Sequence, residues 1–388
     1  MEKNLWNKSF SLLCSVNFLV AFTFYAIMAL LPGYLNSHVK IDSSQIGILM
    51  SSFTLSALLI RPFAGYLIDN HRKKLILGAA ILLFATSFLL YLFSATFVSI
   101  FVVRFIQGIA WGAFSSTASV MVIDVLPVER RGEGIGLYGV FMTGAMAISP
   151  LVSIFALKFT SYGNLFIVSF FIVFGCLGLI LKVKSFNTFS NKKFTFHEVI
   201  NVKVIPLSLF IMIATMAYGS VLSFITLYAA DRHYNNVGFF FLAQAIGLTL
   251  MRFLAGKAYD RNGPKVLTIL SFASLITGFL LMIFSGNEFL FCFSAIFIGM
   301  GYGSLFPASQ AMINELVTAK DRGTANATFL TFFDTGVGLG MISTGFLSKL
   351  FGFQTAYLMC VAYLLIALTV FLIIGLKYYL KHRITNAL

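Results

Sequence analysis

The residues with the greatest chemical reach are acids and bases inside long apolar stretches. Asp334 stands in Phe332-Phe333-Asp334-Thr335-Gly336, and Arg104 in Val103-Arg104-Phe105-Ile106-Gln107. A carboxyl in a low-dielectric setting has its pKa raised, so it can take up and release a proton near neutral pH. A permanently paired carboxylate that only fixes its helix is the bland alternative. Arg104 could bind anions or tune that carboxylate's proton affinity, against the alternative of snorkelling to an interface. Arg61 and Arg252 each precede an aspartate, Asp69 or Asp260, in matching contexts, and a scaffold role is expected for both. Asp124 and Glu315 also match one another and are expected to pair with nearby basic residues. Asn17, Tyr25, Gln107, Tyr138, Tyr218, Gln244 and Gln310 are candidates to line a substrate cavity, each competing with a helix–helix hydrogen bond. His38, His71, His197, His233 and His382 fall in loops or tails. Cys14, Cys176, Cys292 and Cys360 occur singly, so no His relay, metal site or disulfide is expected.

The elements that hold these groups follow from composition. Of 388 residues, 59% are hydrophobic and 10% charged, and 45 are Phe. So few charges cannot cover a soluble surface. Disordered and nucleic-acid-binding classes are excluded on the same ground, despite a net charge of +14. A bilayer core of roughly 30 Å needs about 20 apolar residues as helix. Twelve stretches qualify, at about 10–35, 44–68, 75–94, 97–124, 133–157, 163–183, 204–229, 236–258, 265–285, 289–316, 323–349 and 353–377. The weakest break is Lys349-Leu350-Phe351-Gly352-Phe353. The first stretch is too long for a secretory signal and lacks a small-residue cleavage site. Placing both termini on one side puts 20 of the 27 Lys and Arg there and 4 opposite, with Arg61, Arg104 and Arg252 inside spans. That bias predicts cytoplasmic termini.

The chain also repeats itself. Arg61-Pro62-Phe63-Ala64-Gly65 through Asp69 recurs as Arg252-Phe253-Leu254-Ala255-Gly256 through Asp260, an offset of 191 (252 − 61). The same shift carries Gly108 to Gly299, Gly112 to Gly303, Asp124 to Glu315 and Arg131-Gly132 to Arg322-Gly323. The expected architecture is an all-α membrane protein with 12 transmembrane helices in two pseudo-symmetric six-helix bundles. The bundles span 1–183 and 204–388, joined by a polar linker at 184–203. Duplicated halves of this kind place a substrate site near the midplane between repeats. Asp334 falls 12 residues beyond Arg322, about 18 Å into its helix and near that midplane. Its repeat counterpart is Thr143, so the charge belongs to one half.

Gly65-x-Leu67-x-Asp69-x-x-x-Lys73-Lys74 resembles the loop motif of the major facilitator superfamily, with a second copy at Gly256, Asp260, Arg261, Gly263 and Lys265. Arg104-x-x-Gln107-Gly108 resembles the span-4 motif of that family's exporters. Ala29-Leu30-Leu31-Pro32 is similar to the end of their first span. Gly136, Gly139, Gly144 and Ser149-Pro150 resemble in part the kinked fifth span of antiporters. The run from Asp124 to Tyr138, with Asp334-x-Gly336-x-x-Leu339-Gly340, looks like the opine-metallophore efflux subgroup. The resemblance implies a proton-coupled exporter of a drug-like or metallophore-like molecule working by alternating access. It implies a monomer in the plasma (inner) membrane, with a small-molecule substrate and the lipid bilayer as partners. An importer of a sugar, peptide or organic acid is the alternative, and a membrane-embedded enzyme or sensor a third. By the same resemblance Gly65, Asp69, Lys73, Asp124, Arg131, Gly256, Asp260, Arg261, Glu315 and Arg322 form the gating loops. No P-loop is present, so an ion gradient rather than a bound cofactor is the expected energy source. Gly336, Gly338 and Gly340 are expected to leave the Asp334 helix free to flex.

Overall fold

In lipid every backbone polar group must be satisfied within its own segment, and a helix does this at any length. The computed structural model describes residues 5–127, 130–184, 200–318 and 321–384, without the side chains of Asp69, Gly132, Lys257, Asp260 and Asn262. Among the described residues it is helical with no strand. Six helices make up the first part: α1 (Lys8–Tyr34), α2 (Ser43–Asn70), α3 (Lys73–Leu92), α4 (Phe97–Val125), α5 (Arg131–Leu157) and α6 (Tyr162–Leu181). The rest are α7 (Ile205–Asp231), α8 (Gly238–Ile283), α9 (Glu288–Glu315), α10 (Arg322–Val370) and the short α11 (Leu376–His382). Starts are fixed by side-chain caps. Asn7, Ser161 and Asn287 each accept a backbone N–H three residues on, and Thr96 and Ser99 form a reciprocal capping box.

Eleven helices are long and apolar enough to cross a membrane, counted among the described residues. The last, Arg322–His382, is 61 residues, far more than one crossing needs. Gly352 divides it with φ +82°, as Gly263 divides α8 with φ +76°. Both are conformations that L side chains avoid. The expected break near 349–353 therefore falls at Gly352, and twelve membrane-length segments result.

The chain separates into two compact units, Met1–Ile41 with Ser52–Phe194, and Asp42–Ser51 with Thr195–Leu388. The first turns of α2 thus belong to the second unit. There an added Cβ at Gly47 would lie 2.5 Å from the Met341 carbonyl oxygen, and one at Gly345 2.5 Å from that of Ser43. Most of the linker expected at 184–203 lies outside the described residues. Cys14, Cys176 and Cys360 are buried and Cys292 half-buried, all as free thiols.

The 191-residue repeat is visible contact by contact. In the first unit a Cβ at Gly108 would lie 2.2 Å from the Phe53 carbonyl oxygen, and at Gly112 2.6 Å from that of Ala57. In the second, Gly299 meets the Gln244 carbonyl at 1.9 Å and Gly303 that of Leu248 at 2.6 Å. Every member of the second set is the first shifted by 191 positions. Small residues at this spacing let helix backbones touch.

Candidate functional site

Arg104 and Gln107 lie one turn apart on α4, a spacing that puts both on one helix face. Arg104 is fully buried, at 0% exposure. Its Nη1 donates to Gln107 Oε1 at 2.9 Å, and its guanidinium carbon lies 4.7 Å from the centre of the Phe53 ring. Nη2 reaches Met28 Sδ at 3.5 Å. The Tyr91 hydroxyl on α3 donates to the same Gln107 oxygen at 3.0 Å. The Phe53 ring stacks in turn on Phe24, and Phe24 on Trp111 at 4.2 Å. The snorkelling alternative is therefore overturned: the cation is buried against the face of the Phe53 ring, where cation–π attraction strengthens as water leaves. Gln107 Nε2 is buried with no hydrogen-bond partner among the described residues.

The remaining first-unit candidates are less concentrated. Asn17 Nδ2 donates to the Tyr138 carbonyl at 3.1 Å, which ties α1 to α5 through a residue's backbone rather than its ring. Tyr25 is buried, edge-on to Phe24 at 5.0 Å. Lys73 Nζ lies 2.6 Å from Asp124 Oδ2, with the lysine side chain 6% exposed, so this acid has the basic partner expected for it. Among the described residues no atom lies within 4 Å of an added Cβ at Gly65, nor at Gly256 in the second unit. Neither is a packing glycine. Arg131 is half-buried, while the side chain of Asp69 lies outside the described residues.

In the second unit Asp334 is half-buried on α10. The carbonyl of the preceding Phe333 accepts from Thr215 Oγ1 on α7 at 3.0 Å. The Phe333 ring packs on Tyr218 at 6.2 Å and on Phe306 at 5.4 Å, and Tyr218 packs edge-on to Tyr302 at 4.8 Å. The Tyr218 hydroxyl is within electrostatic reach of the exposed Arg252. The residue before Asp334 thus packs this turn of α10 against Tyr218 on α7 and Phe306 on α9. Gly336 and Gly340 do not loosen this helix. A Cβ at Gly336 would lie 2.0 Å from the Met212 carbonyl oxygen and one at Gly340 1.9 Å from that of Met216. Gly219 on α7 returns the contact, 2.1 Å from the Val337 oxygen. The expected flexibility is replaced by a seam of direct backbone contact, because the missing Cβ atoms are used for approach.

Gln310 donates to Asn326 Oδ1 at 2.9 Å, and Asn326 to Asn314 Oδ1 at 2.7 Å, a chain linking α9 and α10. Gln244 is 1% exposed, and neither of its amide atoms has a partner among the described residues. Glu315 differs from its repeat counterpart Asp124. Among the described residues it has no ion pair with a base, and accepts instead from the Tyr259 hydroxyl at 3.0 Å and from the Tyr379 hydroxyl. The cause is legible at the shifted positions: Lys73 becomes Pro264, and Ile68 becomes Tyr259. Arg261 and Arg322 are exposed, and the Asp260 side chain lies outside the described residues. Tyr91, Met28 and Phe53 around Arg104 and Tyr379 beside Glu315 were not foreseen, since nothing in local sequence ties α3 to α4 or α11 to α9.

Outside the membrane-spanning segments, Asp42 and Gln45 cap the start of α2 reciprocally. The Asp42 carboxylate also accepts from the Ser44 hydroxyl and from Lys349 Nζ at 3.0 Å. The Ser44 hydrogen bond first, with Gln45 and Lys349 behind it, pulls its pKa down to about 2.

Comparison with known proteins agrees with this architecture. The sequence matches the Major Facilitator Superfamily over residues 13–284 and 207–385. It is 28% identical over 337 residues to the staphylopine export protein of Staphylococcus aureus, covering 82% of this chain and 84% of that one. It is 24% identical to an MFS-type transporter of Methanocaldococcus jannaschii, covering 92% and 94%. Among solved structures, a bacterial homologue of the human lysosomal transporter Spinster aligns with TM-score 0.80 at 16% identity over 100% of both chains. The nucleoside transporter NupG aligns with TM-score 0.76 at 17% identity, over 94% of this chain and 98% of that one. With duplicated helical units, an intramembrane charge in each and a family match across nearly the whole length, the chain belongs to the Major Facilitator Superfamily and is a multi-pass membrane transporter.

Proposed function

We propose that the protein is a proton-coupled exporter of a small amphipathic organic molecule of the metallophore class, working by alternating access in the plasma membrane with both termini cytoplasmic. One observation carries this reading: each unit holds a membrane-embedded charge that its repeat lacks. Arg104 corresponds to Ala295, and Asp334 to Thr143. Charges inside a membrane are costly, and those retained mark ion and substrate pathways. Scaffold charges would be expected in both copies, as with Arg61 and Arg252. Asp334 is the group that exchanges a proton against substrate, with Arg104, held by Gln107, tuning the pH dependence of that exchange. Tyr25, Tyr138, Tyr218, Gln244 and Gln310 remain candidates for cavity contacts. The similarity to a staphylopine exporter supports the choice of substrate class and of direction.

The test is transport in everted and right-side-out vesicles. Accumulation of an opine-type metallophore in everted vesicles, driven by an acid interior and abolished by Asp334→Asn, is the expected result. Gradient-driven uptake only in right-side-out vesicles would establish import of a sugar, peptide or organic acid instead.

A further inference from the structure

Beyond Gly352 the chain runs helically from Phe353 to His382, with a π-helical turn at Phe371–Gly375. At 1.5 Å per residue this is about 45 Å, longer than a hydrocarbon core of about 30 Å, so α11 emerges at headgroup depth. A terminal turn at that depth ordinarily frays. Here it is tied down. Tyr379 donates its hydroxyl to Glu315, and Ile384 donates its N–H to the Glu315 carbonyl at 2.8 Å. Arg383 N–H donates to the Tyr379 carbonyl at 2.9 Å, and the His382 ring stacks on Tyr378 at 4.2 Å. Leu376 and Tyr379 are buried, while Lys377, Leu380, Lys381, His382 and Arg383 are exposed.

Lys377 and Lys381 are one turn apart, and helical periodicity puts them on the side opposite Tyr379. Two like charges at this spacing repel unless an anion lies between them. No acidic residue occurs from Phe371 to Ile384 to supply one. Leu380 is 53% exposed on the flank of the same face, an apolar group beside two cations.

We infer that this face of α11 binds the headgroups of anionic phospholipids, with the Glu315–Tyr379 tether holding it at the right depth. The phosphate would lie between the two lysine ammonium groups while Leu380 meets the upper acyl chain. Amphipathic segments with clustered basic residues bind membranes in this way. The surface stands apart from substrate handling, and its test does not depend on the transported molecule.

The full-length protein is placed in nanodiscs of phosphatidylcholine with phosphatidylglycerol, and the lipid retained through purification is measured by mass spectrometry. Wild type should retain phosphatidylglycerol in excess of its bulk share. Lys377→Gln with Lys381→Gln should lower that enrichment by about fivefold for each charge removed. Tyr379→Phe should also lower it, while hydrogen exchange of residues 376–384 speeds up. Lys182→Gln with Lys184→Gln, a basic pair in the other unit, is the control and should leave the enrichment unchanged. Melting temperature in detergent verifies that each variant folds. Unchanged enrichment in the α11 double variant would overturn the proposal, as would an equal loss in the control pair.

Discussion

At the residue scale, the proposed chemistry rests on two side chains that differ in how they are held. Asp334 is half-buried, and Asp334→Asn changes its charge with almost no change in volume. Gradient-driven transport should fall to background with the melting temperature unchanged, and normal coupling in that variant would remove the proton site. Arg104 is locked by Gln107, Tyr91 and the Phe53 ring. Lysine keeps the charge but lacks the planar group that stacks and donates in two directions. Arg104→Lys should therefore shift the pH profile of transport, whereas an unshifted profile with a lowered melting temperature would make the residue scaffold. The sequence shows both charges, because an ionisable letter in an apolar run is conspicuous. It does not show Tyr91, Met28 or Phe53 as partners of Arg104, because contacts between helices are set by rotation about their axes, which no local pattern encodes. Glu315 is the instructive middle case. That Lys73 has no counterpart in the second copy could be read by shifting it to Pro264, yet the tyrosine arriving from α11 could not.

At the element scale, glycine has two separable uses. Gly340 sits where any Cβ would strike the α7 backbone, so Gly340→Ala should cost about 1–3 kcal/mol, seen as a fall in melting temperature. Gly65 meets no described atom within 4 Å of an added Cβ, and alanine is the better helix former there. Gly65→Ala should leave stability the same or raise it by up to about 1 kcal/mol. Any transport defect in that variant would then be a gating effect. Sequence spacing marks both glycines alike, and only the neighbouring helix distinguishes them. The start of α2 offers a pH test. Because the Asp42 pKa is depressed, the stabilisation it gives is complete above the usual carboxylate range and is lost only as pH falls through about 2. Asp42→Asn keeps the cap but loses the attraction to Lys349, an exposed pair worth about 0.2–1 kcal/mol. The difference in melting temperature from wild type should be small and constant between about pH 5 and 8. Asp42→Ala removes the cap as well, for about 1 kcal/mol more.

At the scale of the whole molecule, the duplication governs what can be read in advance. Span number, the break at Gly352 and the glycine pairs follow from hydropathy and one arithmetic shift. Helix packing inside each unit then repeats to the residue, as Gly108 on Phe53 and Gly299 on Gln244 demonstrate. Gly108→Ala and Gly299→Ala should therefore lower the melting temperature by similar amounts. Combined, their effects should add to within about 0.5 kcal/mol, since they lie in separate units with no shared partner. A large departure from additivity would mean that the units do not unfold independently of one another's packing. The copies diverge at Arg104 in one and at Asp334 and the Glu315 tether in the other, and the first two are the charges to which transport is proposed to belong. The seam along Gly219, Gly336 and Gly340 gives one of these divergences mechanical weight. With carbonyl oxygens seated against glycine α-carbons, α7 and the Asp334 portion of α10 cannot slide or bend past each other. Any displacement of the Asp334 portion of α10 therefore carries α7 with it, as a beam two helices wide rather than one that flexes alone.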